Sequence, residues 1–226
     1  MNTTLTPEMK VGQLAAEYPL ATRVFARHQI DYCCGGGRPL AEVCRTKGLD
    51  PARVLTEIEQ EIAPADRDVQ RWIDAPLGAV IDHILTDYHR PLYEELPRLE
   101  AMVQKVARVH GDKEPVRLPE LLSVFTSLKA ELEDHFTKEE AVLFPMINRG
   151  QGGGAQGPVA VMLREHDDAG DALRRIRELT DDYTPPEGAC NTWRALWYGL
   201  AALETSLHEH IHLENNILFP RALAGA

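Results

Sequence analysis

The chain has no excess of positive charge, no long apolar run and few cysteines, and each shortage removes a class of function. Its 24 Lys and Arg stand against 35 Asp and Glu, a formal net charge of −11. That is the wrong sign for gripping nucleic acid or an anionic bilayer, so neither partner is expected. No segment approaches the ~18 uninterrupted apolar residues of a membrane helix. The start, MNTTLTPEMK, lacks the basic-then-apolar pattern of a secretion signal, and a cytoplasmic location is expected. The four cysteines, Cys33, Cys34, Cys44 and Cys190, form neither a spaced disulfide framework nor a C-x-x-C zinc pattern. No run alternates with the period of a strand. No G-x-G-x-x-G follows one, and the glycine-rich stretch 150–157 lacks the GK[ST] ending of a phosphate loop, so any electrons the protein uses come from outside.

What is present is helical. Short periodic runs at 11–18, 20–29 and 40–47, cut by Pro19 and Gly48, predict a small helical module. Asp50 and Pro51 give the next run, 52–62, an N-cap acid and a first-turn proline. Ala63-Pro64-Ala65-Asp66 reads as a linker between a 1–65 domain and a 66–226 domain. Four long helical segments follow, at about 77–110, 119–144, 158–181 and 191–219. A kink is expected near Pro91 and Pro97, a bend or stop at Pro145, and a flexible connection at 150–157. Long helices with short links predict an all-α protein whose larger part is an up-down-up-down four-helix bundle.

One phrase is written twice. Residues 135–145 read HFTKEEAVLFP and residues 210–220 read HIHLENNILFP, 75 positions apart (210 − 135). In each copy His and Glu are four apart and share a helix face. That face is otherwise apolar: Leu118, Leu121, Phe125, Leu128, Leu132, His135, Glu139 and Val142 in the first copy, and Leu196, Leu200, Leu203, Leu207, His210, Glu214 and Ile217 in the second. A buried carboxylate without a counter-charge costs several kcal/mol or stays protonated. A cation resolves the conflict at both places. A solvated surface pair would suit a single H-x-x-x-E better than a duplicated one.

Each copy is preceded by a helix carrying a single histidine with apolar residues behind it: His83 in VIDHIL and His166 in LREHDD. The bundle then reads as two half-repeats that supply four imidazoles and two carboxylates. This set suits iron, manganese or zinc. Carboxylates from facing helices are placed to bridge two ions as in di-iron bundles, so two iron ions are expected, each with two histidines and an oxygen of Glu139 and Glu214. An oxo or hydroxo bridge gives each ion five ligands and leaves one position open. His28, His89, His110, His208 and His212 are read as solvated or structural. His89, six residues past His83 and on another face, is the one nearest to supporting a ligand. Cys33 and Cys34 precede three glycines. They are expected on a flexible, exposed turn as a reactive thiol pair or transient metal ligand, against the plainer reading of two small buried residues. Cys44 and Cys190 are read as structural.

Taken together, IDHI, HFTKEE, LFPMI, EHDDAG and HIHLENNILFPRAL resemble the motifs of the repair-of-iron-centres family, the iron–sulfur cluster repair di-iron proteins. DYCCGGGRPL is similar to that family's short cysteine-bearing domain. The resemblance covers nearly the whole chain. It implies a hemerythrin-like domain over about 77–223, iron ligands at His83, His135, His166 and His210, and bridging carboxylates at Glu139 and Glu214. Ordinary hemerythrins carry a fifth histidine, so the resemblance also implies a more open and more labile site. It further implies a stress protein of bacterial cytoplasm that repairs iron–sulfur clusters damaged by nitric oxide or peroxide, by supplying iron. Its partners would be damaged iron–sulfur proteins or cluster scaffolds, with Cys33 and Cys34 on the transfer path. The alternative is a di-iron protein that binds nitric oxide or oxygen, as sink, sensor or nitric oxide reductase, without iron transfer.

Overall fold

The structure, a computed structural model, describes residues 5–62 and 71–225. The linker read at Ala63-Pro64-Ala65-Asp66 and the 65/66 domain boundary lie outside the described residues. No strand occurs among the described residues, and the fold is all-α.

Four short helices come first: α1 (Val11–Glu17), α2 (Ala21–Arg27), α3 (Leu40–Lys47) and α4 (Pro51–Ile62). Gly48 closes α3 at φ 68°, a left-handed conformation that costs glycine nothing. At the start of α4 the Ala52 N–H donates to Asp50 Oδ1 at 3.0 Å, the expected cap. Leu14, Val24, Phe25, Leu40 and Ile58 form the centre of the module's own core.

Four long helices build the bundle: α5 (77–110), α6 (117–148), α7 (Gln156–Leu179) and α8 (191–223). α5 packs on α6 and α8, and α7 packs on α6 and α8. Three of the four contain a π turn: Ile84–His89 in α5, Glu139–Leu143 in α6 and Glu214–Leu218 in α8. A proline follows each turn after one α-helical residue: Pro91, Pro145 and Pro220. Proline cannot donate to the carbonyl four residues back and its ring crowds that carbonyl. The wider turn absorbs both defects, so Pro145 neither ends nor breaks α6. Pro97 lies inside the α-helical part of α5.

A π turn adds a residue and shifts the buried seam. In α5 the buried positions from Val80 to Leu99 run Val80, Ile81, Ile84, His89, Leu92, Leu96 and Leu99, with a step of five at the turn (89 − 84). In α6 the seam expected to pass through Val142 passes through Leu143, and Val142 is 49% exposed. The glycine-rich connection is more ordered than expected. Gly152–Gly154 form a 3-10 turn, and a Cβ on Gly152 would press on the Ala222 carbonyl.

The small module docks on the C-terminal part of α8. Asn216 Nδ2 donates to the carbonyls of Tyr32 at 3.2 Å and Cys33 at 3.4 Å. Gly12 and Gly36 leave the room Asn216 needs, since a Cβ on either would collide with its side chain.

Candidate metal centre

Each half of the bundle sends one histidine from its first helix and a His/Glu pair from its second to a common point. The structure brings together His135, Glu139, His166, His210 and Glu214 of the residues expected from sequence, and adds His89. All six are at most 4% exposed.

His83 is not brought there. It is half-buried, with Nδ1 2.5 Å from Asp87 Oδ2 and its ring stacked on Trp72 at 4.1 Å. The correction follows from the π turn: an α-helix would put His89 on a different face from His83, but the step of five from Ile84 carries His89 inward and leaves His83 at the rim. The repeat spacing was a usable signal. Subtracting 75 from His166 gives position 91, two residues from His89 and eight from His83.

Two groups form, His89 with His210 and His135 with His166, and both share Glu139 and Glu214, with ligand atoms inside 4.8 Å of one another. His89 Nε2 lies 3.2 Å from His210 Nε2, and His135 Nε2 lies 3.1 Å from His166 Nε2. Glu139 Oε2 is 3.4 Å from His89 Nε2 and 3.3 Å from His135 Nε2. Glu214 places Oε2 3.1 Å from His166 Nε2 and Oε1 3.0 Å from His210 Nε2. Each carboxylate therefore spans both histidine pairs.

The charge pattern fits a cation. Both Glu139 oxygens and Glu214 Oε2 are buried with no hydrogen-bond partner among the described residues. Such oxygens are costly unless a positive charge meets them. Without metal, protons take that part. Burial opposes protonation of His135, but the Glu139 carboxylate outweighs it and lifts the imidazole to about 9. His89 is also raised, against its burial, by Glu139. Burial alone would raise Glu214, yet His210 and His166 hold it well below the usual carboxylate range. His210 is pushed down by burial. Imidazole nitrogens and carboxylate oxygens without a thiolate suit a borderline transition ion such as iron.

Outer partners orient the rings. His89 Nδ1 pairs with Glu140 Oε1 at 2.8 Å, His135 Nδ1 with Glu165 Oε2 at 2.9 Å, and His166 Nδ1 with Asn215 Oδ1 at 2.7 Å. Lys138 Nζ holds Glu165 at 2.5 Å. A cavity of about 250 Å³ runs from exposed Glu131 and Asp134 down to His135, His166 and His210.

The cysteine turn lies against the centre and is not the exposed segment expected. Cys33 is buried and Cys34 half-buried. Cys34 Sγ donates to the His166 carbonyl at 3.2 Å, and Asn215, which backs His166, reaches the Cys33 carbonyl at 3.5 Å. Asp31, Cys33 and Cys34 form a further group with ligand atoms inside 4.8 Å of one another. The Cys33 thiol is pushed well above its ordinary range by its bond with Cys34 and by burial. Cys44 is buried in the small module, and Cys190 is exposed beside His110.

Comparison with known proteins places the chain among cation-binding relatives. The hemerythrin HHE cation binding domain matches residues 80–222, and a domain of unknown function, DUF542, matches residues 7–62. The chain is 45% identical to the iron-sulfur cluster repair protein YtfE of Citrobacter koseri over 220 residues, 96% of this chain and 98% of that protein. It is 46% identical to YtfE of Escherichia coli O81 over 221 residues, with the same coverage. Against YtfE of Pectobacterium atrosepticum the identity is 44% over 219 residues, 96% of this chain and 98% of that one.

Proposed function

This chain belongs to the hemerythrin HHE family and, along nearly its whole length, to the iron-sulfur cluster repair proteins, and from that premise we propose that it binds two iron ions and supplies iron to damaged iron–sulfur clusters. His89 and His210 would hold one ion and His135 and His166 the other. Glu139 and Glu214 would each lend an oxygen to both, with an oxo or hydroxo bridge between the ions. Iron would supply exchangeable coordination positions and one-electron chemistry. The residues around it do the rest. Glu140, Glu165 and Asn215 fix three of the imidazoles in the orientation that presents Nε2 inward. The apolar helices exclude bulk water, and the cavity leaves an approach. Asp31, Cys33 and Cys34, one hydrogen bond from His166, offer a second set of donors through which an ion could pass outward. The partners proposed are damaged iron–sulfur proteins or cluster scaffolds in the cytoplasm. No helix among the described residues is long and apolar enough to cross a membrane.

The observation that carries this reading is the pair of buried carboxylates, shared between two histidine pairs and left with unpartnered oxygens. The test is reactivation of an iron–sulfur enzyme after nitric oxide treatment. Iron-loaded protein should restore more activity than the same amount of free ferrous iron, and the Cys33→Ser, Cys34→Ser double variant should restore less. Recovery no better than free iron rejects the donor role.

The cavity that ends on three of the histidines favours one alternative, a binder of nitric oxide or oxygen that keeps its iron. That reading expects tight nitrosyl formation at the reduced centre and no effect of the cysteine substitutions.

A further inference from the structure

The two half-repeats supply matching positions around the centre, but not matching residues. The residue after each shared glutamate backs the single histidine of the preceding helix: Glu140 holds His89 and Asn215 holds His166. The residue before each single histidine meets the paired histidine of the other half. On one side this is Glu165, which accepts from His135 Nδ1 at 2.9 Å. On the other it is Tyr88, whose ring stacks on His210 with centroids 5.5 Å apart and planes 15° apart. Tyr88 offers no acceptor there, since its hydroxyl bonds Glu209. His210 Nδ1 is left buried with no partner among the described residues.

We infer that the two ion positions are unequal, the ion between His135 and His166 being retained and the ion between His89 and His210 being the labile one. This rests on the two-iron reading and deepens it by naming which ion is cargo. Both imidazoles of the retained position have an acceptor on Nδ1; only His89 has one at the labile position. An acceptor fixes the ring and raises its basicity, and its loss costs about 10–100-fold in metal affinity. The cavity reaches His210 of the labile position and both imidazoles of the retained one, His135 and His166. Access through the cavity does not separate the two positions; the missing acceptor on His210 Nδ1 does.

The test is anaerobic titration of the metal-free full chain with ferrous ion, read by calorimetry and iron analysis. Two binding steps separated by about 10–100-fold are expected. His89→Ala should delete the weaker step and keep one ion at the affinity of the tighter one. His135→Ala should delete the tighter step. Two variants that leave every ligand in place guard against misfolding. Tyr88→Gln, which sets an amide oxygen where the ring now lies, should narrow the gap, and Asn215→Ala should lower the tighter step toward the weaker. Retention of the tighter ion by His135→Ala, or no change in the gap with Tyr88→Gln and Asn215→Ala, overturns the inference. A wild-type capacity other than two ions instead rejects the two-iron reading beneath it.

Discussion

Along the bundle, α5–α8 pack Leu96, Leu99, Phe125, Leu128, Leu173 and Leu196 against one another, each at most 1% exposed. Farther along the same helices, equally buried positions present four imidazoles and two carboxylates. The spacing is the same and the chemistry is opposite. Burying a Leu or Phe side chain contributes about 1.5–3 kcal/mol whatever else is bound. Burying Glu139 and Glu214 is unfavourable unless protonated imidazoles or a metal meet them. The apolar layer therefore sets the fold in advance, and the polar layer is a site held ready.

The largest effect that would probe this contrast is in the apolar layer. Phe125→Ala should destabilise the metal-free protein by about 3–5 kcal/mol in denaturant unfolding. Iron bound per folded chain should not change. A loss of iron in the folded fraction would mean that the two layers are not independent.

An effect of up to similar size, but one that also removes metal, is expected in the polar layer. Glu139→Leu should abolish binding of at least one ion. In the metal-free state it should also lower stability at neutral pH by about 3 kcal/mol, because it strips the buried His135 and His89 imidazoles of the carboxylate that holds their protons. Denaturation with and without iron checks both. A metal-free variant as stable as the wild type would break the comparison. Next in size is the seam between the small module and the bundle. Asn216→Ala removes donors to the Tyr32 and Cys33 carbonyls. The expected cost is about 1–2 kcal/mol, with iron capacity intact and faster hydrogen exchange in the 31–37 turn.

The contrast also explains what could be read in advance. Apolar residues repeating at helical spacing, with Pro, Gly and Asp at the ends, were enough for an all-α chain and for the bundle helices. The repeated H-x-x-x-E on an apolar face was enough for His135, Glu139, His210 and Glu214 to be found together. His89 was missed because a π turn changes helix phase, and nothing in ILTDYH announces one except Pro91 just beyond it. The partners Glu140, Glu165 and Asn215 were not legible at all, since which side chain reaches which ring depends on how neighbouring helices are rotated. The three glycines after Cys34 suggested mobility. Their use is closer to the reverse: Gly36, with Gly12, makes room for Asn216 and lets the turn seat closely on α8.

That last difference gives the smallest and most local prediction, at the edge of the polar layer. Cys33 is 3% exposed, and its thiol is pushed well above the ordinary range by its bond with Cys34 and by burial. A raised thiol carries less of the reactive thiolate at neutral pH than an ordinary one. Iodoacetamide followed by peptide mass spectrometry should therefore modify exposed Cys190 first, half-buried Cys34 next, and buried Cys33 and Cys44 last. As pH rises, the rate at Cys33 should keep climbing after an ordinary thiol has levelled off. Loading the centre with iron should slow Cys34 as well if the turn, tied to His166 through its carbonyl and through Asn215, tightens with its ligand. Equal rates at Cys33 and Cys190 would mean that the turn opens freely in solution. The close seating of the cysteines on the metal layer would then be one state among several, and the path through Asp31, Cys33 and Cys34 would lose its support.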